Sequence, residues 1–206
     1  METILKVMFN LSRNTYNSNS INAFSLSHVC DNDKMVVTGD SNFLVFSFAG
    51  SDDIQDWINN FRMDSLKEHR GFESSFEKFH DIVDKYMKTY FNRDIYVTGH
   101  SRGGALATQC AEYIAKNYGP CSCVTFGSPR IGNRTYRDMY NKLPINHTTV
   151  RNGWDIITYL PPVIYKHVGK VITLKQHWWH RFMYWRVKDH LKGSYTKAIN
   201  KYYKNK

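Results

Sequence analysis

No stretch of this 206-residue chain is apolar for long enough to make a membrane-spanning helix. The opening residues, METILKVMFNLSRN, lack a positive start, a sustained apolar run and a small-residue cleavage site. A secretory leader is therefore not expected, and a cytoplasmic location is the expectation. Cysteine is scarce, and the four residues Cys30, Cys110, Cys121 and Cys123 match no metal-ligand spacing. No metal and no organic cofactor are expected, and free thiols in a reducing compartment are the simplest account. Acidic residues are also short, 18 against 28 Lys and Arg, which leaves a net charge of +10. That balance suits either an anionic partner such as a lipid headgroup surface or plain solubility. No arginine–glycine tract, zinc-ligand spacing or RNA-binding aromatic signature accompanies it, so nucleic acid is not the expected partner. Repeats and low-complexity linkers are missing too, and the length fits one compact domain over residues 1–206.

What is there alternates. MVVTG (Met35 to Gly39) and FLVFSFAG (Phe43 to Gly50) read as strands joined by a turn at Asp40, Ser41 and Asn42. Ile54, Trp57, Ile58 and Phe61 share one face of a short helix, and Phe76, Phe79, Val83, Tyr86, Met87 and Tyr90 mark a longer one between Ser75 and Phe91. IYVTG (Ile95 to Gly99) is a strand, followed by a small-residue helix that Gly119 and Pro120 close. Further strands are expected at Cys123–Ser128, Thr148–Asn152 and Val168–Leu174, and a last helix at about His190–Tyr203. Such alternation implies an α/β protein with a mostly parallel central sheet and helices on both faces.

One segment carries chemistry. In VTGHSRGGALA, a serine stands between a strand and a helix with a glycine two places away on each side. Gly99-x-Ser101-x-Gly103 has the form of a nucleophile elbow, in which a strained serine needs flanking residues without side chains. The helix that starts beside it aims backbone amides at any negative charge developing there. A neutral hydroxyl is a poor nucleophile and needs a base, which in turn needs an orienting acid. Asp155 follows a strand in TTVRNGWDIITYLPP and falls where a parallel sheet presents its functional loops; a turn-capping aspartate is the structural alternative. Four histidines follow it, His167, His177, His180 and His190, and residue physics alone chooses poorly among them. His190 lies just before the final helix, within reach of the sheet edge.

Four blocks together, FSFAGSDDIQDWINNF, EHRGFESSF, VTGHSRGGALA and the pair VTFGSPRIGN with RNGWDIITYLPP, resemble the class 3 lipases, the family of the fungal triacylglycerol lipases. The resemblance runs from about Val36 to Tyr195 and implies an α/β-hydrolase fold. It implies Ser101 as nucleophile, Asp155 as the acid and His190, in KDHLKGSY, as the base. His167 matches a histidine that is structural in the family. An oxyanion hole is implied from Ser51 and the backbone N–H of Arg102. The expected activity is hydrolysis of lipid carboxylic esters, triacylglycerol or simple esters first and phospholipase A1 activity second. A non-catalytic membrane- or nucleic-acid-binding protein on a hydrolase scaffold is the reading from another class. Contact with an anionic membrane surface is a further expectation.

Two features depart from the family. Most relatives carry leucine where Arg102 stands, so a cation adjoins the nucleophile, pointing either to solvent or back toward an anionic substrate. The stretch after Ser51 is short for a mobile lid, so the helix near Trp57 either moves or packs on the core. KQHWWHRFMYW, residues 175–185, suits a membrane interface, an acyl groove or aromatic packing under a loop.

Overall fold

The computed structural model describes residues 2–14, 24–30, 33–50, 75–161, 164–174 and 183–204. Seven strands form one sheet in the order β1 (Phe24–Cys30), β2 (Asp33–Gly39), β3 (Phe43–Phe48), β4 (Asp94–His100), β5 (Cys121–Phe126), β6 (Ile145–Asn152) and β7 (Lys170–Leu174). The first two pairings are antiparallel and every pairing from β3 to β7 is parallel. Asp40 builds the β2–β3 turn: its Oδ1 accepts the Asn42 N–H at 2.7 Å, and its own N–H reaches the Phe43 carbonyl at 3.1 Å.

The strands are apolar on both sides because helices cover both faces. On one face, Val37, Leu44, Phe46, Phe48 and Cys123 pack under α2 (His80–Tyr90) and α3 (Arg102–Asn117), which contribute Val83, Met87, Leu106, Cys110 and Ile114. On the other, Val45, Val124, Phe126, Val150 and Leu174 meet α1 (Glu2–Asn14) and α6 (Lys192–Lys204) through Leu5, Met8, Phe9, Tyr195 and Ile199. Val45 and Phe46 fall in different cores, as the two-residue period of a strand requires. Two further helices lie near the sheet, α4 (Arg134–Tyr140) and α5 (Met183–His190). Among the described residues no helix is long and apolar enough to cross a membrane.

Several elements go beyond the sequence reading. The opening residues form α1, whose Leu5, Met8, Phe9 and Leu11 are buried at helical spacing. β1 extends the antiparallel edge, with Leu26 and Val29 largely exposed, so these two residues carry no core signal. α4 is nucleated by Asn133, whose side chain accepts the Tyr136 N–H at 2.9 Å. β5 and β6 start two and three residues before their expected starts at Cys123 and Thr148. The helix expected at Ile54–Phe61 lies outside the described residues.

All four cysteines are free, and burial pushes the Cys110, Cys121 and Cys123 thiols up. The parallel strands β4, β5 and β6 all deliver their C-terminal ends to one edge of the sheet. That edge holds the site.

Candidate active site

The chain leaves β4 at His100, and Ser101 takes φ 59° and ψ −130° before α3 begins at Arg102. It is the one non-glycine residue with positive φ among the described residues. Such a conformation costs about 1–3 kcal/mol and persists only where its surroundings impose it. Here the Ser101 N–H donates to the Phe126 carbonyl at 2.9 Å, and the Gly104 N–H donates to the Ser101 carbonyl at 2.9 Å. The flanking glycines are required by contact. A Cβ at Gly99 would lie 2.1 Å from the Gly103 carbonyl oxygen, and one at Gly103 would lie 2.3 Å from that of Phe48. No bond rotation relieves either clash, since the added atom meets backbone.

His190 ends α5 and directs its ring at the corner. Its Nε2 lies 2.8 Å from Ser101 Oγ, and its Nδ1 lies 2.9 Å and 3.0 Å from the two oxygens of Asp155. An ionised carboxylate only accepts, so Nδ1 carries the hydrogen and Nε2 presents its lone pair to the serine hydroxyl. The three side chains are 0–1% exposed. Asp155 makes two kinds of contact, one to the imidazole and one to backbone. While facing His190 it also caps the short 3-10 turn Ile156–Tyr159, with Oδ1 accepting the Ile157 N–H at 3.0 Å.

Residues outside the sequence-derived set hold this arrangement. Tyr195 on α6 donates its hydroxyl to Asp155 Oδ2 at 2.6 Å and accepts the Asn152 N–H at 3.0 Å. Asn152, the last residue of β6, donates from Nδ2 to the Asp189 carbonyl at 2.9 Å, tying the end of β6 to α5. Gly127 has φ +58°, and a Cβ there would stand 3.0 Å from Asp155 Oδ2 and 3.1 Å from the His190 ring. Asp155 and His190 therefore lie across the end of β5 where a side chain would crowd them. His100, inside the serine motif itself, also escapes the sequence reading, although a histidine at the last strand position is a legible oddity.

The remaining expected residues separate. The Arg102 guanidinium is turned onto protein partners and is only 19% exposed. It forms a two-pronged pair with Asp33, Nη1 to Oδ1 and Nη2 to Oδ2 at 3.0 Å, and Nη2 also donates to Ser75 Oγ at 2.9 Å. Asp33 is 4% exposed, so the cation is neutralised against β2. His167 donates from Nε2 to the Thr158 carbonyl at 2.6 Å, and burial lowers it to about 4, which leaves it neutral near pH 7. Ser51, His177 and His180 lie outside the described residues, as does most of the 175–185 aromatic stretch. Among the described residues no group of three or more His, Cys, Asp or Glu side chains could hold a metal ion.

Comparison with known proteins is consistent in kind. The family model described as Lipase (class 3) matches residues 45–165. Over 140 residues the chain is 29% identical to secreted mono- and diacylglycerol lipase 1 of Fusarium solani, covering 61% of this chain and 42% of that protein. Over 102 residues it is 38% identical to phospholipase A1-II 2 of Oryza sativa subsp. indica, covering 43% and 25%. The chain thus spans less than half the length of either relative. The fold is that of the solved Rhizomucor miehei lipase–propeptide complex, with a TM-score of 0.68, 24% identity and coverage of 84% of this chain and 68% of that one. The shared architecture is the α/β-hydrolase fold.

Proposed function

The chain belongs to the class 3 lipase family, and from that premise we propose that it hydrolyses lipid carboxylic esters through an acyl-enzyme on Ser101. His190 Nε2 takes the Oγ proton as the oxygen bonds to the ester carbonyl carbon. The carbonyl oxygen becomes an oxyanion, facing the Arg102 backbone N–H at the start of α3 and the second donor assigned to Ser51. Collapse breaks the bond to the alcohol oxygen, and His190 returns the proton to that leaving group. Water then attacks the acyl-serine by the same path, releasing the fatty acid and restoring the Ser101 hydroxyl. Asp155 keeps the imidazole in its Nδ1–H tautomer and offsets its charge when Nε2 is protonated.

The observation that carries this reading is the relay of 2.8 Å from Ser101 to His190 and 2.9 Å from His190 to Asp155. A structural serine would have no reason to stand at positive φ against the free nitrogen of an oriented imidazole. Glycerides or simple esters are the preferred substrates. Arg102 would favour phospholipid if its charge faced the substrate, but that charge is neutralised by Asp33. Phospholipase A1 activity is the second reading, favoured by the identity to the rice enzyme. The +10 net charge supports an encounter with anionic lipid surfaces that weakens with salt.

Initial rates on tributyrin emulsion and on phosphatidylglycerol vesicles decide the order. A glyceride rate above the phospholipid rate supports the first reading, and a phospholipid rate far above it reverses the order. No turnover of either by the folded protein, together with no labelling by a fluorophosphonate, would return the chain to the non-catalytic class.

A further inference from the structure

His100, the residue before Ser101, is wholly buried against the His190 ring. Its Nε2 lies 3.0 Å from the backbone carbonyl oxygen of His190. Its ring is stacked on the His190 ring at 4.8 Å and 30°, and set edgewise to Tyr195 at 5.5 Å and 79°. A carbonyl oxygen only accepts, so Nε2 carries the hydrogen and Nδ1 is left bare. That Nδ1 is buried and has no hydrogen-bond partner among the described residues. The fold here tolerates an orphaned acceptor while keeping a donor at the far side of the ring.

The carbonyl it reaches needs one. His190 closes α5, and the last carbonyls of a helix have no partner inside it. The next turn is bridged by the Leu191 N–H to the Lys188 carbonyl and by the Ser194 N–H to the Leu191 carbonyl.

We propose that His100 is a positioning residue for the general base: it anchors the His190 backbone through Nε2–H and braces the ring by stacking, so that two consecutive residues, His100 and Ser101, grip His190 at both ends. The inference rests on the ester-hydrolase reading of the same site. It gives a physical reason for a histidine at the last position of β4. The base arrives from 89 residues away in the chain, and the distance from Oγ to Nε2 is closed by a small ring of bonds rather than by α5 alone. The clamp works only while His100 is neutral, because a second cation beside a protonated His190 would oppose the proton transfer. The groups facing it are His190 on α5 and Tyr195 and Lys192 on α6. Burial, His190 and Lys192 all hold His100 well below the usual histidine range, against a smaller opposing effect of the bond to the carbonyl.

Three substitutions test it, with p-nitrophenyl butyrate turnover and the rate of fluorophosphonate labelling as readouts. His100→Phe keeps a stacking ring and removes the donor. His100→Gln places an amide N–H the same number of bonds from Cβ as histidine Nε2, and His100→Asn places it one bond short. The proposal expects kcat of the phenylalanine variant to fall about 100-fold with KM within about twofold, as for a misplaced catalytic group. Labelling should slow in parallel. His100→Gln should recover to within about fivefold of wild type and His100→Asn should not. A phenylalanine variant with wild-type kcat overturns the proposal, as does a folded His100→Gln as slow as phenylalanine. If His100→Phe is insoluble, the amide pair decides: fast glutamine with slow asparagine supports the clamp, and equal rates in the two overturn it. Wild-type protein that never labels would remove the hydrolase reading itself and the clamp with it, whereas normal labelling of wild type and every variant removes only the clamp.

Discussion

Gly103→Ala is a demanding test of the corner geometry, because its effect follows from a distance rather than from chemistry. The added Cβ would stand 2.3 Å from the Phe48 carbonyl oxygen and 2.6 Å from that of Ala49. Both neighbours are backbone at the end of β3, so no side chain can swing away. To reach even a 3.0 Å contact, α3 and β3 must part by at least about 0.7 Å. Gly104, the next residue, donates to the Ser101 carbonyl, so the displacement enters the turn that holds the nucleophile. Overpacking of this kind costs about 1–3 kcal/mol of stability, and a nucleophile moved by a fraction of an ångström loses about 10- to 100-fold in turnover. Gly193 supplies the control. It lies in α6 with nothing within 4 Å of where an added methyl would stand, so Gly193→Ala should leave turnover unchanged and stabilise by up to about 1 kcal/mol. Urea unfolding and ester turnover on both variants give the comparison. Wild-type stability and turnover in Gly103→Ala would refute the tight corner.

Three other expectations follow from the same contacts. Asp155→Asn should cut kcat by about 1,000- to 10,000-fold while KM changes little, because the amide no longer selects the Nδ1–H tautomer; steady-state kinetics showing less than a tenfold change in kcat would contradict that role. His147 and His167 are held neutral by burial, at about 3 and about 4, and would take up protons only on unfolding as pH falls below their ordinary 6.5. Stability should therefore drop between about pH 6.5 and 4 by roughly 1 kcal/mol per pH unit for each fully titrating histidine, and a flat urea-midpoint profile from pH 7 to 5 would count against it. The Arg102–Asp33 pair should show a coupling of about 1–3 kcal/mol in a double-mutant cycle with Arg102→Leu and Asp33→Asn, and strictly additive losses would mean the pair contributes nothing.

The parts of this molecule legible in its residues are those whose geometry forbids alternatives. Gly99 and Gly103 announce the corner because any side chain there strikes backbone. FLVFSF announces a strand covered on both faces, and it is. Asp155 is readable from its place after a strand, since parallel strands deliver their ends to one edge. Convergence is not readable in the same way. Nothing local to His190 says that it reaches across 89 residues to Ser101, and resemblance to the family, rather than spacing, separates it from His167. Arg102 reads as free to face solvent or substrate because its partner, Asp33, is 69 residues away at the start of β2. The opening helix escapes notice because its buried residues complete a face only when the sheet beneath supplies Val45 and Phe126. Ser51 falls outside the described residues, so its role as an oxyanion donor rests on the family resemblance.

The most direct test of the central claim is mass spectrometry of the protein after reaction with a fluorophosphonate, with the adduct mapped by peptide sequencing. A hydroxyl set 2.8 Å from an imidazole that is itself braced by Asp155 should take one adduct at Ser101. The adduct should be absent in Ser101→Ala and form at least about a thousandfold more slowly in His190→Ala. An adduct on another residue, or one that persists in Ser101→Ala, would contradict the account.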